Sequence, residues 1–121
     1  MTTSELQAAV RERDGLAVID LTGDVNAAAE RALNQAYAEA TAGGATAVAL
    51  NFARADYINS TGIALIVGLL AQARKNGIEV KAFGLSHHYR EIFEITRLAD
   101  FMTIADNEER AVSGAERNND A

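Results

Sequence analysis

The sequence predicts an α/β fold: a mixed sheet of about four or five strands with helices packed against it. Three observations carry that reading. Strand-like and helix-like segments alternate along the chain after an opening hairpin, in the order β-β-α-β-α-β-α-β-α. The run from Thr46 to Phe52 is apolar enough for a central parallel strand buried on both faces. No proline and no internal repeat interrupts the alternation in 121 residues.

Each element has a local reason. Leu6 to Arg13 and Leu16 to Leu21 read as strands joined by Asp14-Gly15, a hairpin-turn pair. Thr22-Gly23-Asp24 ends the second strand, and Asn26 is an N-cap for a helix from Ala27 to Ala42. Leu33, Ala36, Tyr37 and Ala40 recur at helical spacing as its buried stripe, and Gly43-Gly44 stops it. After the strand Thr46 to Phe52, a loop leads to Ile58. Asn59-Ser60-Thr61 then offers cap residues to a helix running from Thr61 to Asn76. Asn76-Gly77 closes that helix, and Ile78 to Phe83 alternates as a strand. Ser86 caps a helix from His87 to Leu98, with Tyr89, Ile92, Phe93 and Thr96 along one side. Met102 to Ile104 is a last strand and Asn107 to Ser113 a last helix. Residues 1–113 therefore form a single domain, and 114–121, with almost nothing to bury, form a tail expected to fray.

Composition narrows the function. A net charge of −6 and the lack of a Lys/Arg stripe argue against binding nucleic acid through its phosphates. The chain has no cysteine, which removes disulfides and thiolate metal sites and suits the cytoplasm. Met1 to Gln7 is polar, unlike a secretory signal. The longest apolar stretch, Ile63 to Ala71, falls far short of the roughly 20 residues that span a bilayer. No membrane insertion and no cofactor are expected.

Catalysis finds no foothold. Asp20, Asp24 and Asp56 come with no nucleophile and base, and strand ends and turns explain them. His87-His88 would point about 100° apart on a helix, with no acidic or thiol ligands beside them, so no metal site is expected. The glycines form no phosphate-cradling loop. The chain is not expected to be an enzyme.

The stretch Asn59-Ser60-Thr61-Gly62 is where chemistry concentrates. A hydroxyl at a helix start is an ordinary cap. It is also a place where an added phosphate meets free N–H groups and the positive end of the helix dipole. The helix that follows is apolar nearly all round from Ile63 to Leu70, more than one buried face requires. Ile63, Ile66, Val67 and Leu70 are thus candidates for a docking patch. Gly68 costs about 1 kcal/mol against Ala inside a helix, so close packing on the sheet or on a partner is expected there.

Four segments in order carry a family resemblance. Leu21-Thr22-Gly23-Asp24-Val25 resembles a strand-ending LTGELD segment, and Val48-Ala49-Leu50-Asn51-Phe52 a VVLDL strand. Tyr57-Ile58-Asn59-Ser60-Thr61-Gly62-Ile63 resembles a FIDSSGL signature, and Leu98 to Ile104 a closing SGLDKLFEI segment. From about Leu16 to Val112 the chain resembles the STAS family of anti-sigma factor antagonists and transporter-associated domains.

The resemblance implies a regulatory binding module of bacterial transcription control that works by partner switching. In such antagonists the signature serine is phosphorylated by an anti-sigma factor serine kinase of the GHKL ATPase type. The unphosphorylated form binds that kinase, and a cognate phosphatase resets the switch. By position the phosphoacceptor is Ser60, with Thr61 as second choice, flanked by Asn59, Asn26 and Gly62. The implied partner-binding residues are Asp24, Val25, Tyr57, Ile58, Ile63, Ile66 and Val67. Asn59 and Asn26 stand where the family carries Asp; Asn still caps but brings no charge. That leaves an alternative open, a non-phosphorylated scaffold subunit of a signalling assembly or of a lipid or anion transport complex. A homodimer is also left open.

Overall fold

Five strands form one sheet in the order β1-β2-β3-β4-β5, in a computed structural model that describes residues 5–118, with side chains to Ser113. Strand β1 (Gln7–Arg13) pairs antiparallel with β2 (Leu16–Val25), and every later pairing is parallel. The hairpin turns as expected at Asp14-Gly15, both with positive φ (51° and 84°), which the tight turn between twisted strands demands. The remaining strands are β3 (Ala47–Ile58), β4 (Glu79–Phe83) and the two-residue β5 (Thr103–Ile104).

Alternation along the strands separates two apolar layers. Ala17, Ile19, Leu21, Val48, Leu50, Phe52, Val80 and Ala82 face the main core. Over them lie α1 (Glu30–Ala42), α2 (Ser60–Lys75) and α3 (His87–Ile95). The stripe Leu33, Ala36, Tyr37 and Ala40 is buried as its spacing implies. The intervening residues Leu16, Val18, Ala49 and Phe83 point the other way and meet Ala111 of α4 (Glu108–Asn118).

Helix α4 is held down by charge as well as by packing. Arg11 bridges Asp20 and Glu108, and Arg13 bridges Glu108 and Glu109. Lys81, only 1% exposed, donates from Nζ to the Ala111 carbonyl at 2.8 Å. The backbone of α4 is helical to Asn118, five residues past the expected end at Ser113. The rest of the anticipated tail, 119–121, and all side chains from 114 on lie outside the described residues.

The largest departure from expectation lies at the C-terminal ends of β2 and β3. The loop expected between Phe52 and Ile58 is strand, and β2 continues past Leu21 to Val25. The two extensions pair with each other, Thr22 with Arg54 through Val25 with Ile58. Twice the register slips by one residue, between Asp20 and Thr22 and between Gly23 and Asp24, each slip inserting an extra residue in β3. Such bulges destroy the inside–outside alternation by which a strand is recognised. The consequence is a two-stranded ledge, projecting beyond the last β3–β4 pair at Asn51 and Phe83.

Smaller shifts have simple causes. The first turn of the expected Ala27–Ala42 helix is a separate 3-10 turn, Ala27–Ala29, capped by Asn26 as anticipated. Helix α3 stops at Ile95 rather than Leu98, and Arg97 at φ 70° breaks the helical path before a 3-10 turn at Leu98–Asp100. On its face Phe93 is buried and Tyr89 and Ile92 half-buried, while Thr96 is exposed and its hydroxyl bonds back to the Ile92 carbonyl at 2.7 Å.

Candidate functional site

The ledge delivers β3 directly into α2, and the first turn of α2 is where the sequence-predicted residues converge. Asn59, in extended conformation, is the N-cap: its Oδ1 accepts the Gly62 N–H at 2.8 Å, and its carbonyl accepts the Ile63 N–H at 2.9 Å. Of the three expected cap residues Asn59 is the one used, and the helix start expected at Thr61 moves back by one residue. Ser60 is the first helical residue, it is exposed, and its hydroxyl is not committed to capping. Thr61 beside it is exposed as well.

Asn59 satisfies only part of the mouth of α2. In an α-helix the first N–H groups have no intrahelical acceptor. Asn59 takes up that of Gly62 with its side chain and that of Ile63 with its carbonyl, leaving the N–H groups of Ser60 and Thr61 without an acceptor among the described residues. No acidic side chain lies in the first turn, while Arg74 and Lys75 sit in the last. The positive end of the dipole therefore has no acidic partner within the first turn of α2 itself.

Glycine at position 62 is a packing requirement. A Cβ there would lie 2.0 Å from the Val25 carbonyl oxygen and 2.7 Å from its carbon. The same carbonyl accepts the Asn59 N–H at 3.2 Å. So the end of β2 and the mouth of α2 are in direct backbone contact. Asn26 follows at once, its Oδ1 accepting the Ala28 N–H at 3.0 Å. Asn26 and Asn59, the two residues expected to flank Ser60, are therefore both engaged as caps.

The partner-binding candidates divide by burial. Val25 (0% exposed), Ile58 (5%) and Ile66 (1%) belong to the main core, and Leu70 is buried with them. Val25, Ile58 and Ile66 of the expected partner-binding set, and Ile66 and Leu70 of the expected docking patch, are thus turned towards the sheet by strand ends and the inner face of α2. Ile63 is half-buried against the same core, and Asp24 is half-buried on the ledge. Tyr57 (55% exposed) and Val67 (47%) are the two that face outward. Tyr57 lies beside Asp24 in the sheet register.

Spacing along α2 shows a face that sequence reasoning missed. Ser60, Ala64, Val67, Gly68 and Ala71 are all exposed, at intervals that put them on one side of the helix. Of the two packings expected for Gly68, the one on the sheet is not found: nothing lies within 4 Å of the position its Cβ would occupy. The recurrence of small residues at Ala64, Gly68 and Ala71 was a readable signal, masked by the apolar character of the whole helix.

Titration is perturbed on the opposite side of the molecule. Hydrogen bonds first from Arg11 and then from Arg13 hold the Glu108 carboxyl at about 2. Arg11 likewise lowers Asp20, with Asn51 adding a 2.8 Å hydrogen bond and partial burial opposing both. These groups clamp α4 and do not reach the α2 mouth. His87 and His88 are exposed at the start of α3. Among the described residues no group of three or more His, Asp or Glu side chains is gathered as a metal site would require. No helix among them is long and apolar enough to cross a membrane.

Comparison with known proteins agrees with this arrangement. A family model described as the STAS domain matches residues 7–111. The candidate anti-sigma factor antagonist BtrV of Bordetella bronchiseptica is 31% identical over 100 residues, covering 83% of this chain and 86% of that protein. An anti-sigma factor antagonist from Mycobacterium paratuberculosis matches with a TM-score of 0.71 at 19% identity, over 90% of this chain and 92% of that one. The Bacillus cell fate determinant SpoIIAA, in its phosphorylated form, matches with a TM-score of 0.66 at 23% identity, over 89% and 98%. The two structural likenesses speak for the fold alone. Taken with the sheet order and the α2 mouth, a family match over almost every described residue means that this chain belongs to the STAS domain family, and its relatives bear the name anti-sigma factor antagonist.

Proposed function

We propose that this chain is an anti-sigma factor antagonist that binds an anti-sigma serine kinase of the GHKL ATPase type and is released when Ser60 is phosphorylated. A phosphatase returns it to the binding form. The observation that carries the reading is the position of Ser60: exposed, first in α2, and relieved of capping by Asn59. The docking surface is the outward face of α2 from Ser60 to Ala71 together with Tyr57 on the ledge.

In the transfer, Ser60 Oγ attacks the γ-phosphorus of ATP held by the kinase. The new Oγ–P bond replaces the bond to the β,γ-bridging oxygen, ADP leaves, and the hydroxyl proton passes to a base on the kinase. The product carries about −1.5 to −2 charge in the middle of the docking face. The free N–H groups of Ser60 and Thr61 stabilise it in the released chain. Against the kinase it adds repulsion and a desolvation cost, and about 1.4 kcal/mol suffices for each tenfold loss of affinity.

A second reading has one observation behind it. Asn59 and Asn26 stand where the family signature carries Asp, which suits a scaffold subunit that docks without switching. Incubation with the anti-sigma kinase of the same genome and ATP, followed by intact-mass measurement, separates the two. One added phosphate, absent from Ser60→Ala, supports the switch; an unchanged mass at every kinase concentration supports the scaffold.

A further inference from the structure

The residues just before Ser60 are supported from an unexpected direction. Beyond Asn51, β3 loses β4 as a neighbour, because Gly84, at φ 82°, turns the chain away. The ledge is then paired on one side only, with β2. On its other side lies a cavity of about 200 Å³, bordered by Phe52, Ala55, Ile58, Gly84, Ser86 and Tyr89. Tyr89 lines it and bonds to the ledge: its hydroxyl oxygen accepts the Ile58 N–H at 3.0 Å. The next amide, Asn59, donates to the Val25 carbonyl. Two successive N–H groups ahead of Ser60 are therefore pinned by two different elements, α3 and β2.

Tyr89 is itself held in place. Ser86 Oγ accepts its N–H at 3.2 Å, and the His88 ring stands edge-on to its ring at 5.0 Å between centroids. A phenylalanine at 89 would fill the same space but leave the N–H of buried Ile58 without an acceptor, an outcome that the interior penalises.

We infer that Tyr89 is a positioning residue for phosphoryl transfer at Ser60. Resting on the proposed switch, this role is distinct from docking: Tyr89 fixes where the α2 mouth presents its hydroxyl, and the outward face of α2 decides how tightly the kinase binds. Transfer depends on near-attack geometry, in which small misplacements cost rate rather than affinity. Loss of the hydroxyl should therefore appear in kcat, and loss of a docking residue in KM.

The test compares wild type, Tyr89→Phe and Tyr57→Ala as substrates of the anti-sigma kinase of the same genome with ATP, and follows amide exchange by NMR. For Y89F the expected result is kcat reduced at least fivefold, KM within twofold, and Ile58 amide exchange at least tenfold faster with the amide of Leu50, in the middle of β3, unchanged. Y57A should raise KM and leave kcat. Unchanged kcat in Y89F, a loss confined to KM, or equal acceleration at Ile58 and Leu50 would overturn the positioning role. Should Y89F not fold, Ser86→Ala unties the Tyr89 amide and keeps its hydroxyl; the same split supports the role and an unaltered kcat refutes it. A wild-type chain that takes no phosphate at Ser60 removes the switch and this role together, whereas normal phosphorylation of Y89F removes this role alone.

Discussion

Gly62 stands so close to Val25 that a single methyl group on it would lie 2.0 Å from the Val25 carbonyl oxygen. Because that oxygen also anchors the Asn59 amide, the contact fixes the start of α2 against the end of β2. Gly62→Ala should gain about 1 kcal/mol of helix propensity and lose about 3 kcal/mol to overpacking against backbone, a net loss of about 2 kcal/mol. Urea denaturation of the two proteins measures the difference; an alanine variant as stable as wild type would contradict the contact.

The same substitution six residues along the helix has the opposite sign. At Gly68 nothing occupies the space of a Cβ, so Gly68→Ala should stabilise the free protein by up to about 1 kcal/mol. If the exposed face of α2 is where the kinase docks, the added methyl also holds the partner off. Calorimetric titration with the kinase is expected to show at least threefold weaker binding by this more stable variant. Unchanged affinity would move the docking surface away from Gly68.

Asn59 and Ser60 can be told apart by stability alone. Asn59→Ala removes the acceptor of the Gly62 N–H and should cost about 1 kcal/mol, whereas Asn59→Asp keeps the cap within a few tenths of that. Ser60→Ala should be close to neutral, because its hydroxyl is not the cap. Thermal unfolding of the three variants checks the order. A Ser60→Ala protein as destabilised as Asn59→Ala would return the cap to Ser60.

Acid should loosen the clamp on α4. The Glu108 carboxyl titrates at about 2 in the folded chain against an ordinary value of 4.5, and Asp20 is lowered in the same sense. A depressed folded value means stability that is fully present above the unfolded value and lost as pH falls through the folded one. The loss attributable to Glu108 should therefore develop between about pH 4.5 and pH 2. Urea midpoints at pH 6 and pH 3 should fall less for Glu108→Gln than for wild type, and an identical fall would exclude the clamp as a contributor.

Much of this architecture was readable from residue pattern, and the exceptions have identifiable causes. Asp14-Gly15 dictated a hairpin, and the spacing of Leu33, Ala36, Tyr37 and Ala40 dictated the buried side of α1. The β2–β3 ledge was hidden because two bulges scramble the alternation of Arg54, Ala55, Asp56 and Tyr57. Three successive cap-forming residues, Asn59, Ser60 and Thr61, made the helix start ambiguous by one position, which decides whether the Ser60 hydroxyl is free. Val25, Ile58 and Ile66 are apolar residues at element ends or on a helix apolar all round, so composition alone could not orient them. Tyr89 looked like one more member of an apolar stripe, since a hydrogen bond between a phenol and a distant backbone amide leaves no local trace.

Binding of the kinase to the same chain before and after stoichiometric phosphorylation at Ser60 tests the charge gate most directly. A fall in affinity of at least tenfold, with circular dichroism unchanged, is the predicted result. Equal affinity of the two forms would contradict it.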